Sequence, residues 1–172
     1  IHISEFVSTL RDSGNSNGTI NRKLAALSKM LTVALRNEWI DTKPHIPRQR
    51  EAAHRIRWIT PDEELVMAQH SDPRFAKLWT LLIDTGLRVG EALRLEPMDI
   101  DMGQNRIHVW ENKADKPRSI PMTKRVRSIL DGHDFMDITQ DQVTYQWNKM
   151  RKAMGLMDDS HFVPHICRHT FA

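Results

Sequence analysis

One cysteine occurs in 172 residues. Alone, Cys167 excludes an intrachain disulfide and fits a protein kept in a reducing cytoplasm. Tyrosine is equally scarce, with Tyr145 the single instance. No apolar stretch approaches the roughly 20 residues that a membrane-spanning helix needs, and no secretory leader opens the chain. Internal repeats and low-complexity tracts are absent. The string Gly86-Leu87-Arg88-Val89-Gly90 lacks the glycine and lysine spacing of a phosphate-binding P-loop. It also lies outside any apolar helix in which a G-x-x-x-G pair would serve dimerisation. The first residue is isoleucine, so the sequence reads as a fragment. What is present is ordinary for a globular chain, 40% hydrophobic and 27% charged, with room for one domain or two small ones.

Charge is unevenly placed. The formal net charge is +3, yet residues 1–57 hold ten Lys/Arg against five Asp/Glu, which leaves −2 for the remainder. A basic module joined to a near-neutral one fits a DNA grip attached to something else. A solvated surface gives the same count.

Ile3, Phe6, Val7 and Leu10 are spaced for a first helix, and residues 13–18 (Ser-Gly-Asn-Ser-Asn-Gly) break it. The spacing predicts a second helix over 19–37. Ile20, Leu24, Leu27, Leu31, Ala34 and Leu35 form one stripe, and Arg22, Lys29 and Arg36 fall opposite. An apolar back with a basic front suits packing inward while meeting phosphates outward. Pro44 and Pro47 interrupt helix, so residues 41–57 read as a linker. Its basic part, 48–57, carries Arg48, Arg50, His54, Arg55 and Arg57.

Thr60-Pro61-Asp62-Glu63 is a capping box with proline at the first helical position. Asp72-Pro73 opens another helix, whose Phe75, Leu78, Trp79, Leu82 and Ile83 mark a buried face and whose stop is Gly86. A short helix follows over about 88–95. Ile107 and Val109 then alternate with Arg106, His108 and Trp110. With Arg118-Ser119-Ile120 this predicts a small antiparallel sheet with a hairpin at 111–117. Helices return near 123–130 and 140–154. Thr139 and Gln142 form a second capping box, Trp147, Met150 and Met154 read as core, and Tyr145 is expected to pack in its helix.

Three clusters carry possible chemistry. Arg88 follows Gly86 where one helix gives way to the next, and Glu91 can hold it through an i,i+3 pair. Lys113 sits at the hairpin turn, where a lysine can reach a ligand and give up a proton; Lys116 competes for that role. His165 and Arg168 are three residues apart, a base beside a guanidinium that can fork onto phosphate oxygens. His161, His165, Cys167 and His169 are metal-ligand types. However, Cys167 points away from its neighbours at two-residue spacing, and Pro164 breaks a continuous helix, so no metal site is expected.

In this order, Thr85–Leu95, Asn112–Pro121 and the closing His165-Ile166-Cys167-Arg168-His169 resemble the catalytic boxes of the tyrosine recombinases, the family of phage integrases. The resemblance implies a mainly α fold with a small antiparallel β-sheet in two lobes. These are a partial helical core-binding domain over 1–47, to which Thr19–Trp39 contributes its second half, then the basic linker 48–57 and a catalytic domain over 58–172. It implies Arg88 as the first catalytic arginine supported by Glu91, Lys113 as the hairpin lysine, and His165 with Arg168 as the H-x-x-R pair followed by His169. It also implies double-stranded DNA as partner and DNA contacts from Arg22, Lys29, Arg36, Arg48, Arg50, Arg55 and Arg57. Members form a 3′-phosphotyrosine and a free 5′-hydroxyl with no metal or ATP, and work as homo-tetramers on two duplexes, with accessory DNA-bending proteins in some systems. This sequence departs from the pattern in three ways. Tyr145 precedes the H-x-x-R box, whereas the family nucleophile follows it. The family's downstream second histidine or tryptophan is missing, and the interval from Lys113 to His165 is short. The expectation is therefore a fragment lacking the nucleophile and inactive by itself. A recombinase-like DNA-binding module, a type IB topoisomerase-like enzyme and a helical scaffold with no DNA role are the alternative classes.

Overall fold

The computed structural model describes residues 2–51, 56–110, 116–131 and 137–171, and the chain divides into two compact units, Ile1–Arg55 and Ile56–Ala172.

The first unit is built on α1 (Ile3–Asp12) and α2 (Asn17–Arg36). Ser16 caps α2 by accepting the Thr19 N–H at 3.3 Å, which places Asn17 and Gly18 inside the helix rather than in the break. Val7, Ile20 and Leu24 are buried together, with Ile3, Phe6, Leu10 and Ile46 packed around them. Only the first two residues of the expected apolar stripe are buried. Leu27, Leu31 and Ala34 are half-buried, Leu35 is exposed, and Met30, Val33 and Trp39 (73% exposed) lie open beside it. The reason is length: ten residues of α1 reach about 15 Å while twenty residues of α2 reach about 30 Å, so α1 covers only half of its partner.

The segment expected to be a linker is largely part of this unit. Lys43 donates to Ser28 Oγ and Thr32 Oγ1, both at 2.9 Å. Farther along, Asn17 Nδ2 donates to the Arg50 carbonyl at 2.7 Å. Residues 43–51 thus run back along α2 toward its start. The buried Asn21 closes them down, donating to the Gln49 carbonyl (2.9 Å) and accepting the Gln49 N–H (2.8 Å). One side-chain amide thereby satisfies both main-chain groups of an extended residue, as a neighbouring strand would.

The second unit comprises α3 (Pro61–His70), α4 (Pro73–Thr85), α5 (Val89–Ala92), a three-stranded sheet, α6 (Lys124–Leu130), α7 (Gln140–Ala153) and α8 (Ile166–Phe171). The expected caps are all formed: Thr60 with Glu63, Asp72 onto Arg74 and Phe75, and Thr139 with Gln142. α4 is the central helix. Eight of its residues, Phe75, Leu78 through Ile83 and Thr85, are buried, more than one face can hold. α5, α6 and α8 pack on it. The sheet has antiparallel order β1 (Ile100–Asp101), β2 (Arg106–Val109), β3 (Arg118–Pro121), with Ile107 opposite Ile100 on one side and Ile120 on the other. β1 is an addition to the expected hairpin. The 3-10 turn Pro97–Asp99 leads into it, its start closed by the Glu96 N–H donating to Asp99 at 2.9 Å.

α7 buries Trp147 and Met150 as expected, together with Val143. Trp147 packs edge-on against Phe75 and donates its indole N–H to the Phe162 carbonyl at 2.9 Å. Tyr145 corrects the sequence reading. It is 67% exposed, because two residues from both Val143 and Trp147 on a helix is the opposite side. Among the described residues no helix is long and apolar enough to cross a membrane.

Candidate active site

The turn from α4 into α5 is where the chemistry-bearing residues gather. Gly86 ends α4 with φ +62°, its N–H donating to the Leu82 carbonyl at 3.0 Å. A side chain would be strained in that left-handed conformation. A Cβ there would also lie 2.5 Å from the Phe171 ring. Leu87 is buried next, and Arg88 emerges in an extended conformation just before α5.

Glu91, on α5, is buried with its side chain 3% exposed. Its carboxylate accepts four hydrogen bonds. Oε2 takes the Arg88 main-chain N–H (2.8 Å) and Arg118 Nη2 (2.7 Å), while Oε1 takes Arg88 Nη1 (2.8 Å) and Arg118 Nη1 (3.1 Å). That fills the approximately four lone-pair positions of a carboxylate. Burial alone would push the Glu91 carboxyl up. The Arg118 fork, with the N–H and guanidinium of Arg88, outweighs burial and holds it at about 2.

His165 lies one residue before α8. The turn Val163–Ile166 (N–H to carbonyl, 2.8 Å) and the Arg168 N–H to the His165 carbonyl (3.1 Å) place it at the helix entrance. The buried Ile166 and Cys167 hold α8 in the core. Burial pushes the Cys167 thiol well above its ordinary range, which makes it a packing residue rather than a nucleophile. The His165 ring meets His169 edge to face with centroids 4.9 Å apart. His165 is exposed, yet partial desolvation, then the charges of His169, Arg168 and Arg88, hold it below its ordinary value of 6.5, which favours the neutral imidazole that can accept a proton. Arg168 donates to the Gly86 carbonyl, tying α8 to the turn that launches Arg88. Two guanidinium groups and a neutral imidazole therefore converge on one turn. That set can bind a phosphate and take a proton from a nucleophile beside it.

Of the residues expected from sequence, Arg88, Glu91, His165, Arg168 and His169 come together here. Lys113 and Arg55 lie outside the described residues. Arg22, Lys29 and Arg36 are all exposed on α2, and Arg48 and Arg50 are exposed on the same unit, Arg48 within 3.9 Å of Glu51. Arg57 is a correction. It is an internal brace of the second unit, not a linker cation. Its guanidinium donates to Glu63 (2.8 Å) and Asp159 (3.1 Å) and sits 5.2 Å from the Phe162 ring centroid. Two carboxylates take up the charge that sequence alone offered to DNA, and Glu63 first, then Asp159, raise the Arg57 pKa against the effect of burial.

Arg118 is the residue that sequence reasoning missed. The signal was present: Arg118 and Ile120 are two apart on β3, and Ile120 is buried. An arginine on the core face of a strand needs a buried carboxylate.

The model of the phage integrase family matches residues 57–133. The integrase of Escherichia phage P2 is 27% identical over 173 residues, which is 99% of this chain and 51% of that protein. The tyrosine recombinase XerC of Bacillus subtilis is 26% identical over 196 residues, 97% of this chain and 64% of that protein. The chain thus spans about half to two-thirds of the length of these curated relatives. In fold it is similar to the Tn1549 transposon integrase in complex with transposon right end DNA (TM-score 0.77, 19% identity, 99% of this chain and 71% of that chain). It is also similar to a lambda integrase in a tetramer bound to a Holliday junction (TM-score 0.69, 18% identity, 98% and 57%).

Proposed function

We propose that this chain, which the phage integrase family model matches over residues 57–133 and which is similar along its length to the phage P2 integrase and to XerC, is part of a site-specific tyrosine recombinase that breaks and rejoins duplex DNA through a 3′-phosphotyrosine. The carrying observation is the convergence of Arg88, Arg168 and the neutral His165 on the Gly86 turn. In this reading the tyrosine oxygen attacks the scissile phosphorus while its proton passes to His165. The two guanidinium groups hold the charge that builds on the non-bridging oxygens. The bond to the 5′-oxygen breaks, and Lys113 supplies the proton that oxygen needs to leave. The phosphotyrosine ester conserves the bond for rejoining to a second strand. The exposed Arg22, Lys29, Arg36, Arg48 and Arg50 grip phosphates of the duplex. The tetrameric lambda integrase on a Holliday junction supports a four-protomer working form.

Tyr145 has no part in this scheme. It sits on the exposed side of α7 and precedes His165, whereas the family order puts the nucleophile after the H-x-x-R box. The 172 residues then bind duplex DNA without forming a covalent bond to it. The test is incubation with a nicked suicide duplex followed by denaturing electrophoresis. Binding with no denaturation-resistant adduct is expected. An adduct that disappears in Tyr145→Phe would overturn the assignment, and failure to bind any duplex at low salt would overturn the DNA-binding reading.

A further inference from the structure

The four hydrogen bonds on Glu91 divide unequally between its two arginines. Arg118 spends both terminal nitrogens on the carboxylate in a bidentate fork, at 2.7 and 3.1 Å. Arg88 spends one terminal nitrogen and its main-chain N–H, and its side chain is 44% exposed against 31% for Arg118. Were Glu91 paired with Arg88 alone, one carboxylate and one guanidinium would cancel. An anion arriving at Arg88 would then meet a neutral ion pair and a buried carboxylate beside it. With Arg118 forked onto the same carboxylate, the trio keeps one net positive charge, and Arg88, with one guanidinium donor spent against two on Arg118 and the more exposed side chain, is the better placed of the two to offer it to an anion.

We propose that Arg118 is a positioning residue for the phosphate site, the countercharge that satisfies Glu91 so that Arg88 is held rigidly yet keeps its charge for an anion. The role rests on the proposed use of Arg88 toward a phosphate, but the clamp itself does not. Register supports it: Arg118 stands opposite Val109 at the start of β3, on the core face that Ile107, Val109 and Ile120 share. Its side chain is thereby directed toward α5 and away from the outer face of the sheet. The depressed Glu91 carboxyl is what a carboxylate held by two guanidinium groups and a main-chain N–H should show.

The inference is tested on the chain as it exists, with Arg118→Ala, Arg118→Lys and inorganic phosphate as the probe, reading the guanidinium Nε–H resonances of Arg88 and Arg168. In Arg118→Ala the Glu91 carboxylate loses two of its four partners, and the Arg88 Nε–H should exchange about tenfold faster or more as that anchor loosens. Its phosphate-induced shift should collapse while that of Arg168 persists. Arg118→Lys, which restores the charge without the fork, should fall between and serves if the alanine variant does not fold. Unchanged exchange at Arg88 in a folded variant, or equal loss at Arg88 and Arg168, would overturn the proposal. If phosphate moves neither arginine in the parent chain while Arg118→Ala still loosens Arg88, the clamp stands and the phosphate-site reading fails. In a form bearing the nucleophile, kcat should fall with KM for DNA unchanged. A raised KM with a flatter salt dependence would instead make Arg118 a DNA contact and refute the positioning role.

Discussion

The Arg168 guanidinium donates to the carbonyl of Gly86 across 82 residues of sequence. That bond joins the H-x-x-R segment to the turn from which Arg88 projects, so the two arginines are positioned by one piece of backbone. It makes Gly86 a residue with three duties: ending α4, admitting the Phe171 ring and presenting the carbonyl.

Gly86→Ala should destabilise the second unit by about 1–2 kcal/mol from the left-handed conformation alone, with a further cost as the Phe171 ring is pushed aside. Urea unfolding measures it. Adding Phe171→Ala should recover the steric part and leave the conformational part. Full recovery would show that the positive φ costs nothing here.

His165 gives a pH dependence of definite sign. Its folded value lies below 6.5, so the unfolded chain binds the proton more readily. The contribution to stability is complete above about 6.5 and is lost progressively as the pH falls from there toward the folded value. The difference in unfolding free energy between the parent and His165→Gln, followed from about pH 8 down to about pH 5, should shrink on the acid side. Titration of the imidazole Cε1–H by NMR should give a midpoint below that of a free histidine. A midpoint above about 6.5 would mean that a carboxylate, rather than desolvation and the neighbouring His169, Arg168 and Arg88, dominates its surroundings.

The basic side of α2 makes a salt-dependence prediction. Replacing Arg22, Lys29 and Arg36 with alanine should weaken duplex binding and reduce the log–log salt slope by about 0.9 for each phosphate that is no longer neutralised. All three are exposed and the buried Ile20 and Leu24 are untouched, so stability should change little. An unchanged slope would assign the stripe to solvation.

Lys113 and Arg168 can be separated chemically in a form of the protein that carries a tyrosine after the H-x-x-R box. Each alanine variant should lose on the order of 100-fold or more in cleavage. A substrate with sulfur for the bridging 5′-oxygen should rescue Lys113→Ala, because a thiolate leaves without a proton. It should not rescue Arg168→Ala if, as proposed, the Arg168 charge acts on the non-bridging oxygens. If sulfur fails to rescue Lys113→Ala while DNA binding is intact, Lys116 becomes the next candidate for the acid.

Signals that act within a few residues were legible in the sequence. The capping pairs Thr60–Glu63 and Thr139–Gln142, the Asp72 cap, the left-handed stop at Gly86 and the alternation Ile107–Val109 all formed as their spacing requires. The partners there are neighbours in the chain, and helix or strand geometry alone brings them together. The same holds for Arg88 and Glu91 at i,i+3. Tertiary structure decided what each charge is for. Arg57 reads in sequence as one more cation in a basic run, yet it meets Asp159, 102 residues away, and Glu63. Arg118 reads as a strand-end arginine and turns out to saturate Glu91. A charged side chain's role depends on which opposite charge reaches it and how much water remains, and neither quantity exists until distant segments pack. The half-covered stripe of α2 has a related cause. Periodicity says which face of a helix is apolar, while the length of the neighbouring helix decides how much of that face is covered.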